Sequence, residues 1–404
     1  MLARCLSASL QGLEARPVTV EVDLAPGLPG IQLVGLPDKA IQESRERVRS
    51  ALRNAGFRGP LVRVVINLAP ADLRKEGPAF DLPIALALLV ASGQLDRPRL
   101  NGIWCAGELG LDGSLRPIRG VIAIAELAAR HGAQALVVPP DNANEAALID
   151  GLVVRTAPDL QQLVQQLNGE RPCLRVCRAK PEAPPKTQDP IQLQGQAARA
   201  LALAAAGGHH LLLVGPPGCG KTHLAHQLQQ LLPPLSREEA LTITRIHSVA
   251  GQLEQHSLHL LEQRPFRAPH HSCSAAALIG GGVSPQPGEL SLAHGGVLFL
   301  DELAEFRRPV LDQLRQPLES GEVLLARAKQ SLRFPSEVLL VGATNPCPCG
   351  WWGDPRQGCG CGQHRRQQYW SRISGPLLDR FDLQVPLRSQ QPDQSSPRAP
   401  EATR

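Results

Sequence analysis

The stretch "LLLVGPPGCGKTHLAHQL", residues 211–228, decides the fold. Four apolar residues, Leu211 to Val214, lead into a glycine-rich octet, and a helical pattern follows. Residues 215–222 fit G-x-x-x-x-G-K-[ST] in the strand–loop–helix context that this motif requires. Glycines let backbone N–H groups turn toward phosphate oxygens, and the helix N-terminus adds its partial positive charge. Gly215, Pro216, Pro217, Gly218, Cys219, Gly220, Lys221 and Thr222 are therefore read as a loop that binds ATP. Lys221 would reach the β- and γ-phosphates, and Thr222 would ligate Mg²⁺; the Cys219 side chain is given no part in this. Loops of this kind drive proteases, chelatases, DNA motors and pumps alike, so the use of the ATP must be read elsewhere.

Three later stretches bear on it. "GGVLFLDE" (295–302) reads as a buried strand ending in two carboxylates, where a parallel α/β sheet places its ligand. Asp301 is the candidate Mg²⁺ partner, and Glu302 the candidate base for the attacking water. "EVLLVGATNP" (337–346) is another buried strand and delivers Asn345, whose amide could hold the water or the γ-phosphate. "GPLLDRFD" (375–382) carries Arg380, which is either paired to Asp379 or Asp382 or stabilises phosphoryl transfer, in cis or in a neighbour's site.

The chain has 404 residues, 43% apolar and 20% charged, which is ordinary for a globular protein. A net charge of +5 permits nucleic acid as a partner without demanding it. The longest apolar run, "LPIALALLVASG" (82–93), is about half the length of a membrane span. The N-terminus lacks the pattern of a signal peptide, so a cytoplasmic location is expected, with ten cysteines outside any disulfide framework. The fold class is α/β. Strands at 18–24 and 61–68, a helix at 38–56 capped by Asp38, and a helix at 121–132 place one α/β domain in residues 1–170. The proline-rich stretch 171–190 reads as a linker, 191–388 as the ATPase domain and 389–404 as a disordered tail.

Within the ATPase segment, "CPCGWWGDPRQGCGC" presents Cys347, Cys349, Cys359 and Cys361 as C-x-C-x₉-C-x-C. Two close thiolate pairs can close around a tetrahedral ion. Structural Zn²⁺, another metal such as an iron–sulfur cluster, and reduced free cysteines all remain open, and His364 could replace one ligand. "VLLARAKQSLRFP" (323–335) reads as two short strands with Arg327 and Lys329 near the turn. "HRRQQYWSR" (364–372) is a second basic patch, whose Tyr369 and Trp370 either pack in a core or stack on a base.

The loop, acid pair, Asn345 and "LLDRFD", in that order, resemble an AAA+ ATPase of the magnesium-chelatase and MCM branch. Residues 264–282, 287–303, 314–323 and 345–350, with "GLPDKAIQESRERVRSA" (35–51), are most similar to the ComM/YifB subfamily. The resemblance implies a homo-oligomeric, usually hexameric, ring and DNA branch migration in natural transformation. It makes Asn345 a sensor of the γ-phosphate and Arg380 a trans-acting arginine finger. It also sets Arg327 and Lys329 on a hairpin that points into the ring's pore, toward single-stranded or branched DNA. No role follows for His270 and His271.

Residues 1–170 resemble the proteolytic domain of Lon, of ribosomal S5-like fold. Ala79 in "EGPAFD" stands where that family keeps its serine, and Ile122 in "RGVIAI" where it keeps its lysine. Alanine cannot attack and isoleucine cannot take a proton, so a protease is not expected. Subfamily members continue into a helical lid past "LLDRFD", so weak or no turnover with retained nucleotide binding is the expectation for this chain. The favoured reading is an ATP-dependent DNA motor. The alternatives are an ATPase subunit of a metal chelatase and a non-catalytic nucleotide-binding assembly protein.

Overall fold

The computed structural model describes residues 2–59, 61–172, 174–176, 195–253, 259–282, 285–326, 331–355 and 357–388. Arg327, Lys329, most of the expected linker and the tail 389–404 lie outside the described residues. The chain forms two compact units: residues 1–184 with 237–262, and 185–236 with 263–404.

The first unit is built on an eight-stranded mixed sheet. β1 (Leu2–Gln11) and β2 (Glu14–Ala25) form a hairpin whose two-residue turn needs the left-handed Gly12 (φ 63°). β3 (Gly30–Val34), β4 (Arg63–Ala69), β5 (Ile103–Cys105), β8 (Ala135–Val137), β9 (Val154–Thr156) and β10 (Leu174–Val176) complete it, in the order β10-β9-β8-β5-β1-β2-β4-β3. β6 (Glu108–Leu109) and β7 (Leu115–Arg116) pair apart from it. β10 falls inside the stretch read as linker, because Leu174 to Val176, between Pro172 and the later prolines that start at Pro181, pair antiparallel with β9.

α1 (Lys39–Asn54) starts where Asp38 accepts from the Ile41 N–H at 2.8 Å, a cap worth about 1 kcal/mol. The other Asp38 oxygen accepts from the Gly77 N–H at 2.9 Å, which ties the "EGPAFD" turn to the same residue. α1 buries Ile41, Ser44, Val48, Ala51 and Leu52, one helical face. α2 (Asp81–Ala91) is buried on every side, as its apolar run demands. α1, α2 and α5 (Leu160–Asn168) share one core. α3 (Val121–Arg130) and α4 (Pro140–Ala146) contribute to a second. Strand alternation explains the division: Ala3 and Cys5 of β1 enter the first core, Ala8 the second.

α8 (Arg237–Ala250) belongs to this unit, although the linear reading assigned 237–262 to the ATPase segment. Its Arg245 pairs with Glu126 of α3 at 2.8 Å, its Ser248 hydroxyl donates to Glu145 of α4, and its Ser248 carbonyl accepts from the Gly120 N–H at 3.2 Å. A helical pattern identifies a helix but not the core that it joins.

The second unit is a five-stranded sheet, all parallel. Its strands are β11 (Leu211–Val214), β12 (Phe266–Arg267), β15 (Val297–Leu300), β18 (Leu339–Thr344) and β19 (Leu383–Pro386), in the order β12-β15-β18-β11-β19. α6 (Gly195–Gly207) and α7 (Lys221–Leu231) bury Ala200, Leu201, Ala204, Ala225 and Leu228 with its strands. Shorter pieces complete the unit: α9 (Ala275–Ile279), β13 (Gly280–Gly281), β14 (Gln286–Pro287), α10 (Glu289–Leu292), α11 (Arg308–Asp312) and α12 (Arg315–Ser320). β16 (Glu322–Ala326) and β17 (Ser331–Pro335) form an antiparallel ribbon, and α13 (Gln363–Trp370) and α14 (Gly375–Leu378) precede β19. Among the described residues no helix is long and apolar enough to cross a membrane.

Candidate nucleotide site and cysteine cluster

Parallel pairing brings three strand ends together. Val214 of β11 is in register with Thr344 of β18, and the Gly215 N–H donates to the Thr344 carbonyl at 3.1 Å. Leu300 of β15 pairs with Gly342 of β18. The loop 215–222, Asp301 and Asn345 therefore leave the sheet at one edge, the place where parallel α/β sheets bind ligands.

Gly218 (φ 75°) and Gly220 (φ 86°) supply the left-handed backbone that the loop needs. A side chain at Gly215 would run into the Cys219 sulfur at 2.7 Å, so Cys219 packs under the loop. The Lys221 ammonium donates to the Gly215 carbonyl (2.8 Å), the Pro216 carbonyl (3.0 Å) and the Asn345 amide oxygen (3.1 Å). The Thr222 hydroxyl faces Asp301 Oδ2 at 3.4 Å. Glu302 follows in the left-handed region at φ 50°, and its N–H donates to Asp301 Oδ1 at 2.9 Å. Its carboxylate Oε2 lies 3.3 Å from His271 Nδ1. Arg380 pairs with Glu319 of α12, and not with Asp379 or Asp382.

The four cysteines form a second group. All four sulfurs lie within 4.8 Å of one another, without His364. Cys347 stands 3.3 Å from Cys349 and 3.6 Å from Cys359. Four sulfurs around a tetrahedral Zn²⁺ at 2.3 Å from each would stand about 3.8 Å apart, so these donors fit that ion. A hydrogen bond from the Trp351 backbone N–H lowers the Cys349 thiol to about 6, whereas, against the hydrogen bond from the Cys361 N–H, burial and the neighbouring sulfurs push Cys359 up to about 11.

The loop between the cysteines reaches the nucleotide loop. A side chain at Gly350 (φ 85°) would meet Pro217 Cδ at 2.8 Å. α13 packs back on the strand end: Tyr369 is buried with its hydroxyl 3.3 Å from Thr344 Oγ1, and Trp370 Nε1 donates to the Pro346 carbonyl at 3.1 Å. Tyr369 thus takes the core-packing alternative, while Trp370 is half-buried with its ring nitrogen on the Pro346 carbonyl. The half-exposed Trp352 instead carries the Arg366 guanidinium over its ring at 4.9 Å.

In the first unit, Ala79 lies in a 3₁₀ turn before α2, and Ile122 is buried in the first turn of α3, where its N–H donates to Glu145 at 3.3 Å. Sequence reasoning gave no role to Glu145 or to the His271–Glu302 contact. Neither carries a local motif, because the partners come from separate elements.

A five-stranded parallel sheet with a phosphate-binding loop after one inner strand defines a P-loop module of α/β fold. The family described as magnesium chelatase, subunit ChlI, matches residues 189–395, and a family described as subunit ChlI of Mg-chelatase matches residues 20–142. The chain is 47% identical over 404 residues to the competence protein ComM of Haemophilus influenzae, covering 96% of this chain and 77% of that one. It is 46% identical over 382 residues to the protein YifB of Escherichia coli, covering 93% and 74%. A probable DNA helicase, MCM9 of Arabidopsis thaliana, is 28% identical over 184 residues, covering 45% and 23%. The chain belongs to the ComM/YifB family of magnesium-chelatase-like proteins.

Proposed function

We propose that this protein hydrolyses ATP to drive a motor that acts on DNA, of the branch-migrating ComM type. The observation that carries this reading is the convergence of Lys221, Thr222, Asp301 and Asn345 at one edge of the parallel sheet. Thr222 and Asp301 would hold Mg²⁺, which supplies charge neutralisation at the phosphates. Lys221 would exchange its carbonyl partners for phosphate oxygens, and Asn345 would orient the γ-phosphate or the water. Glu302 would take the proton of that water. Arg380 would serve a neighbouring subunit's site within a homo-oligomeric ring, which requires it to release Glu319. The cysteine group would hold a structural Zn²⁺ with no open position. Arg327 and Lys329 would follow the DNA backbone from the ribbon β16–β17.

The first unit would serve assembly or DNA contact, since Ala79 and Ile122 offer no Ser–Lys chemistry. The resemblance to a magnesium-chelatase subunit supports a second reading, a chelatase motor. One experiment separates them: ATP hydrolysis with and without single-stranded or branched DNA, with Lys221→Ala as the blank. DNA-stimulated turnover that vanishes in the blank supports the DNA motor. Turnover indifferent to DNA favours the chelatase reading, and the absence of Lys221-dependent turnover removes both.

A further inference from the structure

The backbone of Glu302 has little freedom. It sits at φ 50°, a region costly for a residue with a side chain, held by its N–H on Asp301 Oδ1 and its carbonyl on the Glu305 N–H at 2.7 Å. What remains free is the carboxylate, which is half-exposed and touches His271. An exposed polar contact of this kind contributes little to stability.

The His271 ring is itself constrained. It lies 4.1 Å from the His270 ring and meets Phe306 edge-on at 6.4 Å. Phe306 is buried at the end of the turn that Glu302 starts, so both partners are referred to one element. The histidine segment is anchored at both ends. Arg267 pairs with both Glu289 oxygens at 2.6 and 2.7 Å, and Ser274 caps α9 through the Ala277 N–H. Between them, the Cys273 N–H donates to the His270 carbonyl at 2.9 Å, and His270 Nδ1 lies 2.7 Å from the Ser272 hydroxyl.

We propose that His271 is the positioning residue for Glu302, an inference that rests on the ATPase reading above. Its Nδ1–H donates to Oε2 and sets the rotamer, so that Oε1 is left to accept a proton. In the step itself, the water oxygen bonds to the γ-phosphorus and its proton passes to Oε1. The bond from that phosphorus to the bridging oxygen breaks, and its electron pair leaves with ADP. His271 neither gains nor loses a proton.

The contact is made through Nδ1, and this gives the test a specific form. The asparagine amide nitrogen falls near the place of Nδ1, whereas that of glutamine reaches the place of Nε2. On the full chain, His271→Ala is expected to lower kcat roughly 10–100-fold with KM for ATP unchanged, as loss of an orienting partner does. His271→Asn should recover most of the rate and His271→Gln should not. Lys221→Ala and Glu302→Gln serve as blanks. Equal rates for the Asn and Gln variants, an unchanged kcat in His271→Ala, or a raised KM at constant kcat would overturn the assignment while leaving the ATPase intact. A wild-type chain without Lys221-dependent turnover would remove the ATPase reading and this one with it.

Discussion

Lys221 and Asn345 lie 124 positions apart in the chain, yet the lysine ammonium donates to the asparagine amide oxygen at 3.1 Å. Parallel pairing of β11 with β18 puts them there, with Val214 opposite Thr344. Asn345 therefore addresses the group that would contact the γ-phosphate, and not the base or ribose of a nucleotide. Asn345→Ala is expected to leave nucleotide affinity within a few-fold and to lower kcat by about 10²–10³, the usual cost of one lost transition-state contact. Steady-state hydrolysis beside a nucleotide-binding titration checks this. A loss confined to affinity would count against the sensor role.

How much of the site is legible in the chain follows from how local its geometry is. The loop 215–222 is contiguous, so its glycines and Lys-Thr announce themselves. Asp301, Glu302 and Asn345 are readable because each ends a short apolar run. The partner of Arg380 is not readable, since Glu319 comes from α12, 61 positions away. Tyr369 and Trp370 carry the same ambiguity in sequence, and only the fold shows that Tyr369 is buried and that Trp370 donates to the Pro346 carbonyl. The assignment of α8 to the first unit is hidden for the same reason: Arg245 and Ser248 find partners more than 100 positions away.

Gly350, between the two cysteine pairs, lies against Pro217 of the nucleotide loop, so loss of the cysteine group is expected to disturb that loop. We expect about one zinc per chain by elemental analysis. Cys347→Ser with Cys361→Ser should lose it, lower the thermal midpoint and weaken ATP binding together. Zinc loss with ATP affinity unchanged would mean that the cluster supports only its own loop.

Gly342 lies where three side chains converge. A methyl group there would stand 2.9 Å from Phe381, 3.0 Å from Leu212 and 3.1 Å from Leu303. Its neighbours border the site on two sides, because Phe381 follows Arg380 and Leu303 follows Glu302. Gly342→Ala should cost about 1–3 kcal/mol, as overpacking does, and reduce turnover more than binding. Denaturant unfolding read beside hydrolysis tests both parts. An unchanged midpoint would show that the side chains move aside freely.

Glu145 provides a pH signature in the first unit. Burial pushes its carboxyl above the ordinary value of 4.5, against the opposing hydrogen bonds from Ser248, Asn142 and the Ile122 and Val121 N–H groups. The folded chain therefore holds this proton more tightly than the unfolded chain does, and the unfolded chain binds fewer protons in the window between the two values. The contribution to stability is complete below about 4.5 and is lost as the pH rises through the raised folded value. Glu145→Gln removes the titration. The thermal midpoint of the wild type minus that of the variant should fall across that window and level off above it. A difference that stays flat from acid to neutral pH would mean that these donors offset the burial and that this carboxyl ionises as it does in water.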